Sequence, residues 1–179
     1  MPTPILFLDL DDVLCVHDDY NSYQVMMAFR GKNLEWPELW QHLVNDGARN
    51  NLRVLIERFG LQVVVSSSWA TYLSREQMTE VFARTGLEFV TVALHAEWAT
   101  PRARSSDRRM EIEWWLEAHP ETSIFLALDD TASGWSLAHS PIALEGHVVL
   151  CAPGEGFTGK MLHEAQRLLQ RQVDALERG

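Results

Sequence analysis

Five apolar runs that do not alternate with polar residues punctuate this chain: Pro4–Leu10 (PILFLDL), Leu61–Val65 (LQVVV), Glu88–Val92 (EFVTV), Ser123–Leu128 (SIFLAL) and His147–Cys151 (HVVLC). A strand with one wet face alternates, whereas a strand covered on both faces reads as a continuous apolar run. Helical patterns lie between the runs. Ala48–Phe59 puts Leu52, Leu55, Ile56 and Phe59 on one face and closes on Gly60. Ser74–Thr85 opens with Ser74 as N-cap and Gln77 completing a capping box, and Gly86 follows its end. Asp107–His119 stops at Pro120, and Gly159–Arg178 is long and amphipathic. Strands of this kind separated by helices predict an α/β fold, a Rossmann-like three-layer α/β/α sandwich around a central parallel sheet.

The length of 179 residues suits a single domain over residues 1–179, and 46% apolar with 22% charged residues excludes wholesale disorder. No apolar run approaches the roughly 20 residues of a spanning helix, so no membrane role is expected. No secretory signal is read at the N-terminus. Cys15 and Cys151 match no metal spacing, which leaves reduced thiols and a cytoplasmic location as the expectation. The formal charge of −10 excludes a generally basic nucleic-acid footprint. A local one stays open, because Arg102, Arg104, Arg108 and Arg109 crowd together. That run reads either as a solvated loop and helix start or as a phosphate-contacting element.

In an open parallel sheet the ligand site lies beyond the carboxyl ends of the strands. Asp9, Leu10, Asp11 and Asp12 follow the first run, Ser66, Ser67 and Ser68 the second, and Asp129 and Asp130 the fourth. Each piece alone is ordinary turn or cap chemistry. Together, at one sheet edge, they predict converging carboxylates, which either raise one another's pKa or bind a cation. Hard oxygen ligands in this number favour Mg²⁺.

These residues resemble the motifs of the haloacid dehalogenase (HAD) superfamily of Mg²⁺-dependent phosphotransferases. Phe7-Leu8-Asp9-Leu10-Asp11-Asp12-Val13-Leu14 matches the first motif, Val63–Ser66 the second, and Ala127-Leu128-Asp129-Asp130 the fourth. The third is a Lys or Arg near the start of the helix before the last motif. "SSSW", "EIEWWL", "ALDD" and "GFTGKML" look like the branch found in Swiss-army-knife RNA-repair proteins. One departure is Asp12, where the superfamily often has Gly.

The resemblance implies that Asp9 is the nucleophile and that Asp11 is the general acid and base. It implies Mg²⁺ held by Asp9, the Asp11 backbone carbonyl and Asp129, with Asp130 supporting the ion. Ser66 is expected to bond a phosphoryl oxygen, with Ser67 beside it as a substrate contact. For the basic group, Arg108 shares the helical stripe of Ile112 and Trp115, which should face the sheet. Arg109 lies four before Glu113, a plausible exposed pair, and is the reserve clamp and substrate contact.

The segment 15–46 is where the superfamily often places a flap or cap, and about thirty residues is too few for a large cap. The stretch from Ala93 to Ser106 is also too short. Tyr20, Tyr23, Phe29, Trp36 and Trp40 either pack that segment onto the domain or stack bases. Trp69 and Trp98 either fill the core or rim the site. The expected activity is Mg²⁺-dependent hydrolysis of a phosphomonoester through an aspartyl-phosphate, with the phosphorylated end of a nucleic acid as one substrate candidate. The alternative is a catalytically idle domain that binds a phosphorylated partner. Retention of both Asp9 and Asp11 favours activity. Dehalogenation ranks below both, since it usually lacks the paired acids of the fourth motif.

Overall fold

A computed structural model describes residues 3–31 and 36–178. In chain order the elements are β1 (Ile5–Leu8), α1 (Ser22–Phe29), α2 (Leu39–His42), α3 (Asp46–Phe59), β2 (Gln62–Val65), α4 (Trp69–Tyr72), α5 (Arg75–Arg84) and α6 (Glu88–Ala93). There follow β3 (Leu94–Ala99), α7 (Arg108–Ala118), β4 (Phe125–Asp130), α8 (Pro141–Leu144), β5 (Val148–Cys151) and α9 (Gly159–Arg178). The strands form one parallel sheet in the order β3-β2-β1-β4-β5.

Strand alternation divides the core into two layers. Leu6, Leu8, Val63, Val65, Leu126 and Leu128 face the layer that includes Leu52, Leu55, Phe82 and Leu169 of α3, α5 and α9. Ile5, Phe7, Val64, Phe125 and Ala127 face Ile112 and Trp115 of α7 and Ile142 of α8. The Phe7 and Trp115 rings meet edge to face at 5.3 Å. This is the expected three-layer sandwich. The capping box of Ser74 and Gln77 is present, as is the left-handed C-cap at Gly60.

One expected strand is corrected. Glu88–Val92 is the helix α6, and the third strand lies just after it, over Leu94–Ala99. The β-branched residues of EFVTV suggested a strand, but Leu87 and Val90 bury themselves from a helical turn packed on α5 and α3. Tertiary burial overrides the local preference there. The true β3 is an edge strand, paired only to β2 and with a register shift. Its outer edge is partly wet, which is how His95 and Glu97 sit in it.

The described part of the 15–46 segment carries only the short α1 and α2; positions 32–35 lie outside the described residues. Tyr20, Phe29, Trp36 and Trp40 pack against the core, and Tyr23 is half exposed. No helix among the described residues is long and apolar enough to cross a membrane.

Candidate active site

The site follows from register. Leu8 of β1 is level with Val65 of β2 and with Leu128 of β4. The next residue of each strand is therefore Asp9, Ser66 and Asp129, at one height on the carboxyl edge. Backbone bonds hold this level: the Asp9 amide donates to the Leu128 carbonyl at 3.0 Å, and the Ser66 amide to the Leu8 carbonyl at 2.8 Å. Asp129 continues the alternation of Phe125 and Ala127, so it leans toward the α7 side of the sheet.

Arg108 meets it there. On α7 the buried positions are Arg108, Glu111, Ile112 and Trp115, one helical stripe. The Arg108 guanidinium lies 3.4 Å from Asp9 Oδ1 and 3.5 Å from Glu111 Oε2. Its Nε is 2.6 Å from Asp129 Oδ2, a close charge contact whose N–H is not aligned as a hydrogen bond. Arg109 faces away, 3.7 Å from Glu113, and its amide donates to Ser136 Oγ at 3.1 Å. The geometry thus brings Arg108 and not Arg109 to the acids.

Asp9, Asp129 and Asp130 each offer an oxygen within 4.8 Å of the others, and all three are buried. Their oxygens are unequally engaged. Asp129 Oδ1 accepts the Asp130 amide at 2.9 Å, and its Oδ2 faces Arg108. Asp130 Oδ1 accepts the amides of Ala132 and Ser133 at 2.6 and 3.0 Å. Asp9 Oδ2, Asp130 Oδ2 and Ser66 Oγ are buried with no protein partner. Buried carboxylate oxygens left without donors are costly unless a cation meets them. This donor set fits Mg²⁺.

Burial pushes the Asp9 and Asp129 carboxyls up from their ordinary range, opposed by the Arg108 charge. Asp11 is not one of the triad and is half-buried. Desolvation pushes it up to about 6, with Asp9, Asp12 and Asp130 adding repulsion. The Trp69 indole opposes that rise by donating to Asp11 Oδ2 at 2.8 Å. Trp69 is 1% exposed, so it both fills the core and grips the site. Trp98 packs against the core. Ser67 is buried, and its Oγ accepts the Trp69 amide at 3.5 Å.

Asp12 explains its own departure from Gly. Its φ is 56°, the left-handed region that Gly enters freely and that Asp tolerates better than most residues. Its Oδ1 accepts the Gly154 amide at 2.8 Å. The Gly-Phe-Thr-Gly segment closes behind the same loop. A Cβ on Gly156 would lie 2.9 Å from the Val13 carbonyl, to which the Phe157 amide donates at 2.8 Å.

The family described as the HAD domain in Swiss Army Knife RNA repair proteins matches residues 5–162. The chain belongs to this family. The match runs from β1 through the first residues of α9 and so includes every strand of the sheet and every acid of the site. No curated protein and no solved structure matches the chain. HAD-type membership puts the domain among hydrolases of the phosphatase type at the family level.

Glu111 and Trp135 are site features that the sequence reading missed. Glu111 is 1% exposed and touches Arg102, Arg108 and Ser106. Its place in the Arg108–Ile112–Trp115 stripe was the signal available for it.

Proposed function

We propose that this domain is a Mg²⁺-dependent phosphomonoester hydrolase that works through an aspartyl-phosphate on Asp9. The observation that carries the reading is the convergence of three unpartnered buried oxygens with one buried guanidinium. Asp9 Oδ2, Asp130 Oδ2 and Ser66 Oγ stand unpartnered at the ends of the three adjacent strands β1, β4 and β2, where Arg108 meets Asp9 through Oδ1 and Asp129 through Oδ2. Two of these oxygens suit a cation, and the hydroxyl and guanidinium suit a phosphoryl group. Asp9, Asp129 and Asp130, with the Asp11 carbonyl, would hold Mg²⁺, which when bound would neutralise charge on the phosphoryl oxygens.

The chain's own groups account for the rest. Arg108 and Ser66 orient the phosphoryl group against the Asp9 carboxylate. The carboxylate attacks phosphorus, and the bond to the leaving oxygen breaks. Asp11, its carboxyl raised to about 6 and aimed by Trp69, donates its proton to that oxygen. Deprotonated Asp11 then takes a proton from water, the oxygen of which attacks phosphorus. Phosphate leaves and the Asp9 carboxylate is restored. The short α1–α2 segment supports a large or polymeric substrate, and the RNA-repair description of the family favours a phosphorylated nucleic-acid end.

The test is a panel of phosphomonoesters, including 5′- and 3′-phosphorylated oligonucleotides, with and without Mg²⁺. Release of phosphate that requires both Mg²⁺ and Asp9 is expected. Binding of these compounds with no phosphate release, under any metal, would leave an idle phosphate-binding domain instead.

A further inference from the structure

A groove of about 490 Å³ shares Arg108 with the site and is used by no other part of the proposed hydrolysis. Arg108 and Ser68 line it together with Arg102, Ser106, Ser133 and Trp135. Trp135 is 66% exposed, the only exposed tryptophan among the described residues. Its backbone is nevertheless pinned. The Gly134 amide donates to the Asp130 carbonyl at 2.9 Å, and Ser136 Oγ takes the Arg109 amide at 3.1 Å. A Cβ on Gly134 would come within 2.7 Å of the Asp130 carbonyl, so the loop turns directly against the end of β4. A large apolar ring held in water on a fixed loop is unfavourable for the free protein and useful for a ligand that covers it.

The opposite wall is equally fixed. Glu111 Oε1 lies 3.4 Å from Arg102 Nε and accepts Ser106 Oγ at 2.8 Å, while Oε2 faces Arg108 at 3.5 Å. One buried carboxylate therefore sets the spacing between the groove arginine and the phosphoryl clamp. Serine hydroxyls and a guanidinium between an indole and a phosphoryl site match a sugar and a flat ring better than an apolar protein surface.

We propose that this groove is the leaving-group subsite and takes the base of a nucleotide stacked on Trp135, with the phosphoryl group at Arg108 and Ser66. The inference rests on the hydrolase reading for the identity of the phosphoryl end. Stacking of a base on an aromatic side chain amounts to about 5- to 150-fold in affinity.

The experiment uses the full chain carrying Asp9→Asn, which cannot turn the ligand over, with Mg²⁺ present. Trp135's indole N–H resonance is assigned by its loss in Trp135→Phe. Adenosine 3′- and 5′-monophosphate, ribose 5-phosphate and adenosine are titrated separately. Expected is a shift of the Trp135 signal with a nucleotide and not with ribose 5-phosphate. Trp135→Ala should weaken nucleotide binding by about 5- to 150-fold, and Trp135→Phe should weaken it less. A Trp135 signal that ignores both nucleotide and adenosine overturns the subsite, even where every phosphate binds. A signal that moves with adenosine while ribose 5-phosphate fails to bind keeps the subsite and overturns the phosphoryl reading.

Discussion

Replacing Arg108 by alanine should cost stability as well as rate, and the two arginines at the start of α7 should differ sharply. Arg108 is 7% exposed and lies within 3.5 Å of Asp9, Asp129 and Glu111, all of them buried. No other arginine or lysine among the described residues is within ion-pair distance of Asp9 or Asp129. Truncating it strands buried anions, and removal of one partner from a buried ionic set costs about 3–5 kcal/mol. At roughly 2–4 °C per kcal/mol for a chain of this size, the metal-free melting temperature should fall by about 6–20 °C. Arg109, 3.7 Å from Glu113 with both side chains more than a third exposed, should cost less than about 1 kcal/mol. Denaturant and thermal unfolding of the two alanine variants measure this directly. Adding Asp129→Asn to Arg108→Ala should recover part of the loss, because the removed cation then leaves one fewer anion behind. Activity should follow the same order, with Arg108→Ala losing about 10²–10³ in rate. Equal melting temperatures, or a double variant less stable than the sum of the single changes, would refute the counter-ion role.

Asp9→Asn should abolish turnover, because an amide cannot attack phosphorus, and should raise the metal-free melting temperature by removing a buried charge; wild-type activity in the purified variant would reject the nucleophile. Millimolar Mg²⁺ should raise the wild-type melting temperature, since the ion binds only the folded cluster. Asp130→Asn should remove most of that rise while keeping the acceptor for the Ala132 and Ser133 amides, and a melting curve indifferent to Mg²⁺ would count against the metal site. Metal-free stability should fall as pH rises, because Asp11 binds its proton more tightly folded than unfolded. That contribution is present below the ordinary carboxylate value near 4 and is lost through about 6, with the Asp9–Asp129 pair acting in the same direction. A melting temperature that climbs from pH 5 to pH 8 without metal contradicts this sign.

The central strands were legible because they are buried on both faces. β1, β2 and β4 read as continuous apolar runs, and the residues following them had to emerge at one sheet edge. Helical phase then separated Arg108 from Arg109, a distinction that spacing alone can make. β3 was misplaced because an edge strand with one half-wet side loses the signal, while Phe89, Val90 and Val92 of the preceding helix supply a false one. Glu111 was overlooked because a buried acid declares itself only when its cations are in place, and Arg102 arrives from a loop. Trp135 lies in an aperiodic stretch, where neither period 2 nor period 3.6 says which way a side chain points. Trp69 was left between core and rim, and its indole resolves the choice by doing both.

The energetics of the edge support a ligand independently of any motif. Asp9, Asp129 and Asp130 are almost fully buried, Asp11 stands beside them, and among the described residues Arg108 is the cation in contact with Asp9 and Asp129. Burial raises Asp9, Asp11 and Asp129, so each carboxylate is held less favourably in the metal-free fold than in its unfolded chain. That burial of charge opposes stability, and nothing in the packing of Phe7, Leu128 or Trp115 requires acids at the next positions. A cation would offset that cost, because Asp9 Oδ2 and Asp130 Oδ2 are oxygens that the protein leaves without a donor. An arrangement unfavourable for the empty fold and relieved by a divalent ion is what a binding site demands of a scaffold. The rigid remainder of the sheet, with its two apolar layers, is what allows the chain to carry it.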